Sequence, residues 1–95
     1  MIDPVADFDF PADLLDLQRA WYAADARCVE AGAALPPGRD VAAGVAEPTV
    51  EQQAELAEAR AERLRITEAL QGHPWWASVD DKRAAKAALR AAARS

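Results

Sequence analysis

The most constraining feature of the sequence is a run of apolar residues that recurs at alternating steps of three and four. The steps are 3, 4, 3, 4, 3 and 4, and the residues are Leu14, Leu17, Trp21, Ala24, Cys28, Ala31 and Leu35. This is the heptad spacing of a coiled-coil seam, which an α-helix brings to one side. The pattern therefore predicts a first helix over about 11–34 that packs against at least one other helix.

The residues around this helix indicate where it begins and ends. Pro11 suits the first helical position, where its missing N–H has no partner to lose. Two prolines and a glycine, residues 36–38, stop the helix at its other end. Residues 1–10 are predicted to be an irregular lead-in, with Phe8 and Phe10 folding down on the helix.

The start and end of a second helix are marked equally well. Thr49 and Gln52 have the spacing of a capping box, and Gly72 is predicted to be a left-handed cap. The second helix therefore spans about 50–71. Its length of ~33 Å is close to the ~35 Å of the first helix, which favours an antiparallel hairpin. Residues 36–48 are predicted to be a long loop between the two.

The second helix carries two apolar lines on roughly opposite sides. One line comprises Val50, Ala54, Ala57, Ala61 and Leu64, and the other, interrupted by Arg63, comprises Leu56, Ala59, Ile66 and Leu70. A helix with two apolar faces needs two partners. One partner is the first helix, and the other is a third helix or another chain. We assign Leu56, Ile66 and Leu70 to partner binding, and a dimeric bundle remains an alternative.

Alanine dominates the material that such a bundle can bury. The chain of 95 residues contains 25 alanines and only 8 leucines. Alanine favours helix but contributes little apolar area, and a chain this short has a small stability margin. Closely spaced helices, a partner or self-association would compensate for this.

A short basic helix is predicted at the C-terminus, over about 79–94. Ser78 and Asp81 resemble a second capping box. Its cations, which gather on one side, are Lys82, Arg83, Lys86, Arg90 and Arg94. Residues 80–95 carry a net charge of +3, although the whole chain carries −5.

Three interpretations of this basic helix are open. It could fold back on an acidic run of the second helix, made of Glu51, Glu55, Glu58 and Glu62. In that arrangement Lys82 and Lys86 approach the last two glutamates, and Arg90 and Arg94 approach the first two. The helix could instead bind an acidic partner protein, or the phosphates of a nucleic acid.

The connector before the basic helix reads His73-Pro74-Trp75-Trp76. Two adjacent tryptophans after a helix end either plug the end of a bundle or anchor a partner. We include Trp75 and Trp76 among the candidate partner-binding residues.

No pattern in the sequence indicates catalysis, a cofactor or a metal site. His73 is the single histidine, and Glu-x-x-His motifs of dimetal bundles are missing. Cys28 is the single cysteine and lies in the apolar seam, where a buried, inert thiol is expected. We therefore expect a non-enzyme with neither cofactor nor metal.

The expected location is the cytoplasm. The uncharged stretches are shorter than a membrane span of ~20 residues, and the acidic N-terminus is unlike a signal peptide. A single thiol also fits a reducing compartment.

Residues 12–94, with the His73–Trp76 connector between a Glu/Ala/Arg-rich helix and a short basic helix, resemble a group of small bacterial proteins. These are uncharacterised helical-hairpin proteins of high-GC actinobacteria. The resemblance implies a helical hairpin and no known activity, so no functional residue is carried over from it.

Together these patterns predict a single small all-α domain over residues 1–95. We expect the function of a non-enzymatic protein–protein interaction module, such as an adaptor or a small regulatory subunit. Because the partner could be a second copy of the chain, we also expect a homodimer. The alternative is a small nucleic-acid-binding regulator that uses the basic helix.

Overall fold

The computed structural model describes residues 8–95. Its elements, in chain order, are α1 (Ala12–Ala33), α2 (Gly38–Ala42), α3 (Val50–Gln71), a 3₁₀ helix (Pro74–Ser78) and α4 (Lys82–Arg94). The predicted all-α fold, with two long helices and a C-terminal helix, is confirmed. Residues 1–7 of the predicted lead-in lie outside the described residues, and residues 8–10 have no regular structure.

The start of α3 has the hydrogen bonds of a capping box. The Gln52 N–H donates to Thr49 Oγ1 at 3.0 Å, and the Thr49 N–H donates to Gln52 Oε1 at 2.9 Å. The prediction of a left-handed Gly72 is wrong, because the one glycine with positive φ among the described residues is Gly44. A Cβ at Gly72 would lie 3.2 Å from the Glu68 carbonyl oxygen, so close backbone approach is what favours glycine there.

The C-terminal helix begins later than predicted, and two short helices occur that were not predicted. α4 begins at Lys82 rather than near residue 79, because Asp81 is the residue whose side chain accepts the Ala84 N–H, at 3.0 Å. Ser78 instead ends the 3₁₀ helix, where its hydroxyl donates to the Trp75 carbonyl at 2.8 Å. The segment predicted as a loop contains the short helix α2.

The described chain divides into two compact units. The first unit contains residues 8–22 and Ile66–Ser95. Its segments of α1 and α3 are antiparallel, since Asp13 contacts His73 and Trp21 contacts Thr67. Its core consists of Leu14, Trp76, Ala85 and Leu89, against which Phe8, Phe10, Leu15, Leu70, Trp75 and Val79 pack.

The second unit, Ala23–Arg65, is built mainly from small residues. Its segments of α1 and α3 are antiparallel as well, because Asp25 pairs with Arg63 and the Ala34 carbonyl accepts from Gln52. Its buried residues are Ala24, Cys28, Ala31 and Ala59. Small side chains of this kind allow helix axes to lie close together. Cys28 is a buried free thiol, as its place in the seam predicted.

The two apolar lines of α3 have opposite environments. Ala59 is fully buried, and Leu56, Ile66 and Leu70 are half-buried. The other line is exposed throughout, and its two bulky members, Val50 and Leu64, are 77% and 58% exposed. The face of α3 that is left without a partner in the described chain is therefore the line from Val50 to Leu64.

Candidate functional site

A groove of about 660 Å³ lies within the first unit, beside α4. Its apolar surface is formed by five side chains, Trp21, Tyr22, Leu70, Trp76 and Leu89. Polar side chains complete the lining, and none of them is a carboxylate. The volume is within the range of ligand-binding clefts in proteins, ~300–1,000 Å³.

Hydrogen bonds fix the aromatic side chains of this groove. Trp21 Nε1 donates to Thr67 Oγ1 at 2.9 Å, which joins α1 to α3 inside the unit. Trp76 Nε1 donates to the Leu70 carbonyl oxygen at 2.6 Å. Because both indole N–H groups are satisfied within the protein, these rings offer a rigid apolar surface rather than hydrogen-bond donors.

Four cations line the same groove: Lys82, Lys86, Arg90 and Arg94. They follow one another at steps of four residues, which places them along the same side of α4. The adjacent side of α4 carries the buried residues Ala85, Ala88, Leu89 and Ala93, of which Leu89 also lines the groove. Burial of that side orients the helix so that its cations border the groove.

The four cations have different surroundings. Lys86 Nζ lies 5.9 Å from the centroid of the Trp76 ring, and Arg94 Cζ lies 5.1 Å from that of Tyr22. Both distances are typical of cation–π contacts. Lys82 Nζ donates to the Val79 carbonyl oxygen at 3.1 Å. None of the four forms an ion pair with a carboxylate of residues 8–95, so their charge is available to a ligand.

The Tyr22 hydroxyl is a further polar group at the groove. Its oxygen is buried and has no hydrogen-bond partner within the described residues. Buried polar groups are nearly always paired in native proteins. The unpaired Tyr22 hydroxyl is therefore a cost to the folded state rather than a group that the groove offers to a ligand.

His73 fixes the connector between α3 and the 3₁₀ helix. His73 Nδ1 accepts the Trp75 N–H at 3.1 Å, so this nitrogen carries a lone pair and Nε2 carries the hydrogen. Nε2 lies 2.9 Å from Asp13 Oδ2 and donates to it. This hydrogen bond lowers the pKa of Asp13 below its ordinary value of 3.8. The His–Asp pair therefore positions the two tryptophans that follow it.

The predicted partner-binding residues do not all come together. Trp76, Leu70 and the four cations at steps of four line the groove. Trp75 is half-buried and packs on Phe8 and Phe10, with ring centroids at 6.4 and 5.2 Å. Ile66 and Leu56 lie on the half-buried side of α3, and Arg83 is exposed and outside the groove lining.

Three of the four glutamates in the acidic run on α3 have ion-pair partners inside their own unit. Arg27 Nη2 lies 3.0 Å from Glu55 and 3.9 Å from Glu58, and Arg65 pairs with Glu62. The hydrogen bond with Glu55 raises the pKa of Arg27. One of the three interpretations paired these glutamates with the cations of α4, which belong to the other unit, where two of them lie over aromatic rings.

A comparison with known protein families identifies the family to which this chain belongs. A family of domains of unknown function, DUF8825, matches residues 13–92. The chain belongs to the DUF8825 family. No curated protein matches it significantly, and no solved structure does either.

The matched range of this DUF8825 domain contains the groove except for one cation. It begins at Asp13, the partner of His73, and ends two residues before Arg94. Within residues 8–95, no group of three His, Cys, Asp or Glu side chains is arranged to hold a metal ion. None of the helices in this described part is long and apolar enough to cross a bilayer.

Sequence reasoning missed several groove residues of this DUF8825 domain: Gln18, Trp21, Tyr22, Thr67, Gln71 and Leu89. Trp21 was predicted only as a member of the apolar seam of the first helix, and the structure places it in the groove lining as well. One signal was present in the sequence, namely the cations of α4 at steps of four. The residues facing them depend on contacts that span more than 40 positions, such as Trp21–Thr67.

Proposed function

We propose that this DUF8825 domain is a non-enzymatic protein–protein interaction module whose groove binds an acidic, amphipathic helical segment. The observation that carries the proposal is the row of four cations beside an apolar, aromatic surface without a carboxylate. Apolar side chains of the bound helix would contact Trp76 and Leu89, and its acidic side chains would meet the cations. This is the helix-in-groove mode of recognition.

The length of the cation row favours an extended ligand over a point anion. From Lys82 to Arg94 the helix rises by ~18 Å, with ~6 Å between successive cations. One phosphate or carboxylate contacts only part of such a row. Acidic side chains at steps of three and four along a helix recur at similar distances, so a helical segment can contact the whole row.

Nucleic-acid binding is the second candidate, and the same cation row is what favours it. Binding of single strands relies on free aromatic faces on which bases stack. Lys86 lies over Trp76 and Arg94 over Tyr22, so these two faces are occupied by the protein's own cations. The formal net charge of −5 also opposes nonspecific attraction to phosphates. A protein partner is therefore the better-supported ligand.

The proposal also covers the chemistry of the groove and the cellular location of the interaction. We assign the groove no catalytic step and no cofactor, because its side chains are suited to contact rather than to proton transfer. We place the interaction in the cytoplasm, where the free Cys28 thiol would stay reduced. An adaptor or a small regulatory subunit would have these properties.

The proposal is tested by titrating the full chain with a Leu/Ala/Glu peptide of about five helical turns. Tryptophan fluorescence reports binding, and a peptide with Gln in place of Glu is the control ligand. We expect binding of the acidic peptide to weaken about tenfold in Arg90→Glu. Arg83→Glu makes the same change in charge on the same helix outside the groove lining, and should leave the affinity nearly unchanged.

Two results would contradict the proposal. One is equal binding of the acidic and the neutral peptide, and the other is equal loss of affinity in the Arg83 and Arg90 variants. Oligonucleotides, single-stranded and duplex, are titrated in parallel at low salt. Tighter binding of an oligonucleotide, with a steep salt dependence, would replace the proposal by the second candidate.

A further inference from the structure

The exposed apolar line of α3 is a surface without a partner in the described chain. It consists of Val50, Ala54, Ala57, Ala61 and Leu64, and we call it the outer stripe. Its steps of 4, 3, 4 and 3 are those of a coiled-coil seam. Small residues occupy its middle and bulky ones its ends, so another surface can approach closely along its length.

Acidic side chains border the outer stripe on one side. Glu51 and Glu58 lie ~80–100° from the axis of the stripe on a helical wheel, whereas Glu55 and Glu62 lie ~120–140° away, towards the inward face of α3. Glu58 is the most exposed of those with ion-pair partners, at 74% of its side chain. α3 therefore presents to solvent an apolar line with two exposed carboxylates, those of Glu51 and Glu58, along one border, which is the chemistry that the groove requires of a ligand.

We propose that the groove of one copy binds the outer stripe of a second copy, so that the chain self-associates through α3 and α4. This inference rests on the proposed function and names the ligand. Successive cations along α4 are ~6 Å apart over ~18 Å, and Glu51 and Glu58 are ~10.5 Å apart along α3. The cation row is therefore opposite in charge to the border of the outer stripe and long enough for both of these carboxylates to meet a cation.

The ion pairs already formed by the glutamates do not prevent this contact. Arg27 and Arg65 hold Glu55, Glu58 and Glu62 in pairs whose side chains are 42–74% exposed. Ion pairs this exposed contribute little stability, so exchanging or sharing their partners costs little. Glu51 forms no ion pair among the described residues and is available directly.

The test uses two charge-reversed variants of the full chain. Lys86→Glu/Arg90→Glu makes the groove acidic, and Glu51→Lys/Glu58→Lys makes the border of the outer stripe basic. Each variant alone then opposes like charges across the interface. In a mixture, the acidic groove of the first variant can bind the basic stripe of the second. The unchanged basic groove of the second variant can likewise bind the unchanged acidic stripe of the first.

Sedimentation equilibrium gives the outcome, over a concentration range up to about 100 µM. We expect the wild type to form complexes of at least two copies, each variant alone to associate at least about tenfold more weakly, and the mixture to recover association. Circular dichroism verifies that both variants remain helical, and Arg83→Glu is the matched control that should associate like the wild type. If a double variant loses its helical signal, the single variants Arg90→Glu and Glu58→Lys are used in place of the two double variants.

A wild type that stays monomeric over this range would overturn the inference. So would two variants that associate like the wild type, or a mixture that fails to recover association after both variants have lost it. These results are distinguishable from failure of the proposed function. A monomeric chain that still binds the acidic peptide in its groove retains the function and loses only self-association.

Discussion

Arg63 Nη1 lies 2.7 Å from Asp25 Oδ1, and the two side chains are 35% and 38% exposed. In the sequence, Arg63 interrupts the apolar line of α3 that faces inward. In the structure, Arg63 pairs with Asp25 of α1 within the same unit. A charge that enters a packed face is tolerated when an opposite charge meets it there.

This pair should contribute more to stability than the exposed pairs of the same unit. We expect Arg63→Met, which keeps an apolar stem but removes the charge, to lower the free energy of unfolding by about 1 kcal/mol, because Asp25 then loses its charged partner. Chemical denaturation of Arg63→Met, Asp25→Asn and the double variant would give the coupling energy.

The matched control is the exposed pair of Arg27 and Glu55, treated by the same double-mutant cycle. Its coupling energy should be smaller, because solvent screens both partners. Equal coupling energies in the two cycles would show that the half-buried position of Arg63 adds nothing to the pair.

The hydrogen bond from His73 to Asp13 predicts a specific dependence of stability on pH. The pKa of Asp13 is lower in the folded chain than its ordinary value of 3.8, so folding favours the ionised carboxylate. The resulting stability is present above the unfolded pKa and is lost as the pH falls through the folded pKa. Thermal melts from neutral pH downward should show this loss in the wild type and less of it in Asp13→Asn.

Asp16→Asn serves as the control for this loss of stability at low pH. Asp16 is also in the first turns of α1, but its ion-pair partner is Arg19 at 3.7 Å rather than His73. The Asp16 variant should therefore retain the pH profile of the wild type. If both variants flatten the profile alike, the effect belongs to the helix N-terminus and not to His73.

Features that depend on neighbouring residues were the ones predicted well from the sequence. The capping box of Thr49 and Gln52 and the buried seam of α1 each follow from spacings of a few positions. The start of α4 was predicted less well, since Ser78 and Asp81 both have capping side chains and only Asp81 has the right backbone position.

The groove and the choice between the two faces of α3 depend on distant contacts. Both apolar lines of α3 have helical spacing, so spacing alone does not distinguish the buried face of Ala59 from the exposed face of Leu64. Trp21 meets Thr67 only after the chain has folded back on itself. Such contacts arise from tertiary packing, which local patterns in the sequence do not encode.

Removing the hydroxyl of Tyr22 should leave the protein as stable or make it more stable. The oxygen is buried without a hydrogen-bond partner, and an unpaired buried polar group costs about 1–3 kcal/mol. Tyr22→Phe keeps the ring below Arg94 and removes that cost. We expect the free energy of unfolding to rise by up to about 1 kcal/mol in chemical denaturation.

Trp21→Phe is the opposite case in the same groove, since Trp21 Nε1 has a partner in Thr67. That variant should lose about 1 kcal/mol through the missing hydrogen bond, in addition to the smaller ring area. A Tyr22→Phe variant that is destabilised as much as Trp21→Phe would mean that the Tyr22 hydroxyl is hydrogen-bonded in solution.

Ala59 is the strictest test of the small-residue packing in the second unit. Its side chain is fully buried on the inward face of α3, within a unit whose other buried residues are also small. Ala59→Leu should lower the free energy of unfolding by about 1–3 kcal/mol, because a larger side chain forces the closely spaced helices apart. Ala69→Leu adds the same atoms to an exposed position of α3 outside the outer stripe, and its unfolding free energy should change by less than about 0.5 kcal/mol. Equal effects of the two substitutions in chemical denaturation would contradict close helix packing at Ala59.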